Sequence, residues 1–308
     1  MLRAFLFPGQ GAQTVGMGQD LYDHYTVYKN TFDACSKGSE LNLKSACFEG
    51  HGLNESEVVQ PAIFAHSISL FALLKSKGFV PDVCAGLSLG EYSALCASGV
   101  FSPEQCAALV RKRGRIMDEA FPEGTGGMLS VIGFTAHQIE QTIESCHDVY
   151  LANHLSELQT VIAGRTEDLN KLKPEFEQIG AKMVTMLAVR GPSHAPLLDD
   201  AAKEFLELLA GETLGGMAIK VYSNAMGKPY EQDSDIRALL AQQMRSRVLW
   251  HSCTEHMIAN GVKSFVEVGP SSVLSKMLKR RVDKETLVFS VRDRATFEEF
   301  IDTEGVTR

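Results

Sequence analysis

The sequence predicts an α/β protein: a large part built on a mostly parallel sheet with helices on both faces, and a smaller ferredoxin-like βαββαβ unit inserted in it. Three observations carry this. Short apolar runs such as "AFLF", "VCAG" and "SFVEV" alternate with longer helical patterns, as expected of strands joined by crossover helices. Between residues 124 and 189 the order changes to strand, helix, strand, strand, helix, strand. At 308 residues and 44% hydrophobic, the chain is long enough for one large core and a smaller one. The predicted division is 1–123 and 193–308 for the large α/β part, and 124–192 for the small one.

Taken in order, the first strand covers residues 4–7 and ends at Pro8 and a glycine-rich loop, "PGQGAQ", which leads to a helical region over "MGQDLYDHYTVYKNTFDAC". "QPAIFAHSISLFALLKSKGF" reads as an amphipathic helix opening at Pro61 and stopping near Gly78; "VCAG" follows as a short buried strand. In "FSPEQCAALVRKRGRIMDEAF", Ser102 caps the helix, Pro103 takes the first helical position and Gln105 closes a capping box. The inserted unit has expected strands at 128–132, 149–153, 159–163 and 182–189, with helices at 136–146 and 167–179. A helix over 197–209, a strand around Val221, a helix running through Trp250, the strand "SFVEV", a "GP" turn, a basic helix and the strand "TLVFSV" complete the chain.

Composition narrows the function. A formal net charge of −8 argues against a nucleic-acid surface covering the protein. Seven cysteines without a CxxC pair suggest neither a disulfide framework nor a zinc site, and fit a reducing cytoplasm. The N-terminal apolar run is too short for a signal peptide, and no later segment is expected to reach the roughly 18 apolar residues of a membrane span. The expectation is a soluble, cytoplasmic, monomeric protein with no metal and no nucleic-acid or membrane partner.

Four features could carry chemistry. "GLSLGEYSAL" puts Ser88 between Gly86 and Gly90, after an apolar strand and before a helix. That arrangement holds a serine oxygen at the tip of a sharp turn beside a helix N-terminus, as a nucleophile requires; the plainer alternative is a turn of small packing residues. A nucleophilic serine needs a base. His194 lies in "RGPSHAP", a loop between a strand and a helix, and His154, near another strand end, is its rival by position; His66, His251 and His256 fall within helices. For an oxyanion, the Leu89 N–H is the expected first donor, and the "PGQGAQ" loop is a candidate for the second. Finally, Arg113 stands in the apolar stripe of its helix while Arg111, Lys112 and Arg115 point away. A buried guanidinium needs an anion, from an internal ion pair or from an acidic ligand.

With these residues in view, the sequence resembles the malonyl-CoA:acyl carrier protein transacylases, related to the acyltransferase domains of polyketide synthases. The resemblance runs almost end to end, through "FLFPGQGAQTVGMG", "VQPAIFA", "GLSLGEYSALCASG", "VRKRGRIMDEAFPEGTGGM", "GPSHAP", "LLAQQMRSRVLW" and "FVEVGPSSVLSKMLKR". It implies an α/β-hydrolase-like large subdomain with a ferredoxin-like small one, and an active site between them. It implies that Ser88 accepts the acyl group, His194 is its base, the N–H groups of Gln10 and Leu89 form the oxyanion hole, and Arg113 pairs with the malonyl carboxylate. Gln243 matches the glutamine whose main-chain carbonyl orients the histidine. No bound cofactor is implied; malonyl-CoA is substrate, and the acceptor is the phosphopantetheine thiol of an acyl carrier protein.

The chain departs from the family pattern at Leu87, where many relatives have histidine, at Leu155, Glu157 and Leu158, and at Arg247, where proline is usual. These positions bear on the shape of the acyl pocket, and Ser193 does not decide the side chain tolerated at the substrate's second carbon. Because carrier proteins are acidic, a docking patch of Arg111, Lys112, Arg115, Lys276, Lys279 and Arg280 is expected. Three other functions share parts of this pattern: a stand-alone polyketide acyltransferase, an acyl hydrolase or editing thioesterase, and a silent carrier-binding protein. Arg113 argues against neutral acyl chains, and the intact set of Ser88, His194, Gln10, Gln243 and Arg113 against silence.

Overall fold

The computed structural model describes residues 1–305 and shows nine strands in two sheets. Strands β1 (Leu2–Phe7), β2 (Val83–Gly86), β7 (Lys220–Val221), β8 (Val262–Val268) and β9 (Leu287–Val291) form one sheet in the order β7-β2-β1-β8-β9, every pair parallel. β1, β2 and β8 are apolar along most of their length, as strands covered on both faces must be. The helices packed around this sheet include α1 (Gln19–His24), α2 (Thr26–Ser39), α3 (Ser56–Ser76), α4 (Leu89–Ser98), α5 (Pro103–Glu119), α11 (Val273–Lys279) and α12 (Arg294–Gly305).

Helix α3 differs from its sequence reading in two ways. It begins at Ser56, so Pro61 lies inside it rather than at its first position, because Val59 and Gln60 are fully buried and packing holds the turn that precedes the proline. It is also apolar on nearly all sides, not amphipathic. By length and composition this helix could cross a membrane, contrary to expectation: one 18-residue window has mean hydropathy 1.5, and 83% of that window is buried inside the protein. It is the central core helix, packed against α2 and α4.

The second sheet contains β3 (Gly126–Ile132), β4 (Val149–Ser156), β5 (Gln159–Arg165) and β6 (Met183–Met186) in the order β4-β5-β3-β6, all antiparallel. With α6 (Ala136–Ile143) and α7 (Thr166–Gln178) this is the ferredoxin-like βαββαβ arrangement. Leu129, Val131 and Ile162 meet Ile139 of α6 and Leu169 and Phe176 of α7 in one dry layer. Thr135 starts α6 with a capping box: its Oγ1 accepts from Gln138 N–H, and its own N–H donates to Gln138 Oε1 at 2.9 Å.

Residues Met1–Gly114, Thr213–Tyr222 and Met257 onward form one compact unit, and Arg115–Glu212 with Ser223–His256 form a second. The second unit adds α8 (Asp199–Ala210) and α9 (Ile236–Arg245) to the antiparallel sheet, and α10 (Trp250–Ala259) starts in it. The predicted single helix through Trp250 is two helices, α9 and α10. Residues 246–249 are pulled out of helix because Val248 joins the edge of β4: its N–H donates to Ala152 O at 2.8 Å, and its carbonyl accepts from His154 N–H at 2.9 Å.

Candidate active site

Two glycines shape the turn at Ser88. β2 ends at Gly86 and α4 begins at Leu89. A Cβ on Gly86 would stand 1.9 Å from Gly90 C and O, and one on Gly90 would stand 2.0 Å from Phe7 O, so neither position admits a side chain. Between them Ser88 adopts φ 52° and ψ −107°, a conformation that costs on the order of 1–3 kcal/mol. The buried backbone on either side holds it there: Leu87 N–H donates to Phe7 O at 3.0 Å and Gly90 N–H to Leu87 O at 2.9 Å. Leu89 is the first residue of α4, so its N–H has no intrahelical acceptor and stands next to the serine.

The capping box that opens α5 is formed by Ser102 and Gln105, with Gln105 N–H donating to Ser102 Oγ at 3.2 Å. Its helical register then carries Arg113 inward, to 1% exposure. Nη1 donates to Gln60 Oε1 at 2.8 Å and Nη2 to Ser88 Oγ at 3.2 Å, while the guanidinium carbon lies 5.2 Å from the centre of the Tyr92 ring. Burial raises the Tyr92 phenol well above its usual pKa, although Arg113 pulls it the other way, so a neutral ring faces the cation. The network extends through Gln60 Nε2, which donates to Gln10 Oε1 at 3.4 Å, and Gln10 Nε2, which donates to Ser56 Oγ at 3.2 Å. The cation is thus aimed by three side chains, and one of them is the serine.

In the second unit, His194 is 3% exposed and has φ 63°. Its N–H donates to Met244 O at 3.0 Å, which fixes the backbone, and its Nδ1 is 2.7 Å from Gln243 O. A carbonyl oxygen only accepts, so Nδ1 is the donor; in the neutral ring this tautomer puts the lone pair on Nε2, as a base requires. The histidine opens on a cleft of about 660 Å³ lined also by Tyr150, Leu151, Leu206, Arg245 and Arg247. His154, the rival by position, stands in β4 with its ring 4.8 Å from that of His251.

The structure therefore brings Gln10, Ser88, Leu89 and Arg113 together in the first unit, and His194 with Gln243 in the second. Of the cationic positions, Lys112, Arg115, Lys276, Lys279 and Arg280 are exposed. Arg111 is half-buried and held by Glu57, Nε to Oε1 at 2.9 Å. Sequence reasoning missed Gln60 and Tyr92. Gln60 had one signal, a lone amide in the apolar stretch "VVQPAIFA"; Tyr92 lies one helical turn beyond Ser88 in the motif itself.

Residues 4–299 match the acyl transferase domain, and the chain belongs to that family. It is 36% identical over 306 residues to the malonyl CoA-acyl carrier protein transacylase of Bacillus subtilis, covering 97% of this chain and 96% of that protein. Among solved structures it is similar to the malonyl CoA-acyl carrier protein transacylase of Clostridium perfringens, with TM-score 0.94, 34% identity, and coverage of 100% of this chain and 98% of that one. It is also similar to a malonyl-transacylase in complex with a type II PKS acyl-carrier protein, with TM-score 0.93, 34% identity and coverage of 98% and 100%.

Proposed function

We propose that this protein moves a malonyl group from malonyl-CoA to the phosphopantetheine thiol of an acyl carrier protein, through a malonyl ester on Ser88. The observation that carries this reading is the buried Arg113 guanidinium 3.2 Å from Ser88 Oγ. A cation fixed beside the nucleophile suits an acyl group that ends in a carboxylate, and acts as a charge-assisted donor to it.

In this mechanism Ser88 Oγ attacks the thioester carbonyl carbon while His194 Nε2 takes the hydroxyl proton. The N–H groups of Gln10 and Leu89 stabilise the oxyanion. The carbon–sulfur bond then breaks, His194 returns the proton to the CoA thiolate, and malonyl-Ser88 remains. In the second half the carrier thiol attacks the ester, His194 takes its proton and delivers it to Ser88 Oγ, and the malonyl thioester leaves on the carrier. The Gln243 carbonyl keeps the histidine in the tautomer both halves need. The chain itself supplies nucleophile, base, oxyanion donors and counter-charge, so the reaction as written calls on no metal or redox cofactor.

The subdomain boundaries proposed for this machinery are 124–192 for the small part, which contains the whole antiparallel sheet, and 1–123 with 193–308 for the large one. The exposed Lys276, Lys279 and Arg280 support docking of an acidic carrier at the end of α11, by a protein acting as a monomer. Seven free thiols support a reducing cytoplasm as its location. Because a solved relative is in complex with a polyketide carrier, the acceptor is tested with carriers of both fatty-acid and polyketide type. Intact-mass spectrometry after mixing with malonyl-CoA should show a malonyl adduct that is absent in Ser88→Ala and discharged by one holo carrier. Wild-type protein that is folded yet gains no adduct would overturn the reading.

A further inference from the structure

We infer that Glu267 is a positioning residue: through the turn at Gly269 it holds the Pro8–Gly9 backbone, and with it the Gln10 N–H, in place for the oxyanion. This rests on the proposed malonyl transfer and deepens its account of the Gln10 loop. Glu267, the last residue but one of β8, in "FVEV", is a carboxylate with 0% exposure. A carboxylate is costly to bury, and this one is balanced by donors from the segment that follows it: Oε1 accepts from Ser271 Oγ at 2.7 Å and Oε2 from Ser275 N–H at 2.8 Å. These bonds fold residues 268–275 back under the end of the strand.

The turn so pinned is pressed against the loop that carries Gln10. Gly269 has φ 156°, and a Cβ built on it would stand 2.6 Å from both Cδ and Cγ of Pro8 and 2.9 Å from Ser67 Oγ. Its N–H donates to Val291 O at 3.2 Å, which ties it to the neighbouring strand. On its other side the Pro8–Gly9 segment meets the serine turn. A Cβ on Gly9 would lie 2.6 Å from Leu87 O, and one on Gly90 would lie 3.0 Å from Pro8 O. The Gly269 turn thus packs on the Pro8 ring, and the Pro8–Gly9 backbone packs on the backbone of the Ser88 turn; the ring between the first two layers is closed on its own backbone and has little freedom to absorb a shift. An oxyanion donor works only when held to within a fraction of an ångström, and the layer behind this one is fixed by Glu267.

The test compares Glu267→Gln, Ser271→Ala and Gly269→Ala with wild type in the full-length protein. Measured are the single-turnover rate of malonyl-Ser88 formation at saturating malonyl-CoA, its discharge by pantetheine, KM, the pH midpoint of the rate, and Tm. Glu267→Gln keeps the size of the side chain but removes its charge and one of its two acceptors, so the charge-assisted bonds to Ser271 Oγ and Ser275 N–H cannot both be kept; Gly269→Ala pushes Pro8 directly. Expected is a loss of about 10-fold or more in both half-reactions for these two, and a smaller loss for Ser271→Ala, with KM within about twofold and the pH midpoint unmoved. Folded Glu267→Gln protein that acylates at the wild-type rate would overturn the inference even if Gly269→Ala fails to fold. So would a loss confined to KM, or one that follows a fall in Tm alone. Wild-type protein that forms no adduct would remove the malonyl transfer itself, and this inference with it.

Discussion

At the residue scale the site combines strain with burial. Ser88 and His194 both hold positive φ, and Arg113 holds a charge at 1% exposure. Each position is disfavoured on its own, so each must be held by neighbours. Removing a holder should therefore cost function in a specific way. Gln60→Leu leaves Arg113 Nη1 without its 2.8 Å acceptor, and KM for malonyl-CoA should rise about 10-fold while the protein stays folded; an unchanged KM in steady-state assays would assign the aiming of Arg113 to other groups. His194→Ala should lower the rate of malonyl-Ser88 formation by about 10²- to 10⁴-fold in quenched-flow measurements, and a loss of only a few-fold would take the role of base from it. Ser88 and Arg113 were legible in the sequence because each breaks a local pattern, a serine between glycines and a cation in an apolar stripe. Gln60 was not. Its contact with Arg113 spans 53 residues of chain, and one residue in a fully buried helix leaves no periodicity to read.

At the element scale, local chemistry decided what could be foreseen. The inserted βαββαβ order was readable because short apolar runs and helical patterns follow one another in that order, and the first turn of α6 is capped by Thr135 and Gln138. α5 was readable from Ser102, Pro103 and Gln105. Its cap is far from Arg113 along the helix, so Ser102→Ala should lower stability by about 1 kcal/mol in urea denaturation and leave the malonyl transfer rate unchanged; a loss of rate without a loss of stability would contradict that separation. Two elements were misread for a physical reason. The start of α3 follows burial of Val59 rather than the preference of Pro61 for a first turn, and the break between α9 and α10 comes from Val248 pairing with β4. Both are long-range effects, and neither has a Gly or Pro signal at the point where it acts.

At the scale of the whole molecule, the first unit carries a built-in sensitivity to acid. His66, fully buried in α3, shares a 2.7 Å hydrogen bond with the Tyr28 hydroxyl, and burial lowers its pKa to about 4. Its folded pKa lies below the unfolded value near 6.5, so the unfolded chain binds the extra proton. The stability this group contributes is present above about pH 6.5 and is lost progressively as pH falls to about 4, by about 3 kcal/mol in all. Urea midpoints read by circular dichroism should fall over that window in wild type and fall less in His66→Gln; equal slopes would contradict the assignment.

The parallel sheet, the strained serine and the buried cation have one purpose in this account, to load an acyl group that ends in a carboxylate. The most direct test is competition between malonyl-CoA and acetyl-CoA at equal concentration, read by intact mass, with wild type beside Arg113→Ala. Wild type should carry a malonyl adduct, and the preference should weaken by roughly 10- to 100-fold in Arg113→Ala, whose Ser88 still accepts acetyl groups. An Arg113→Ala protein that keeps the full malonyl preference would contradict that expectation, and would mean that the guanidinium beside Ser88 serves the fold rather than the substrate.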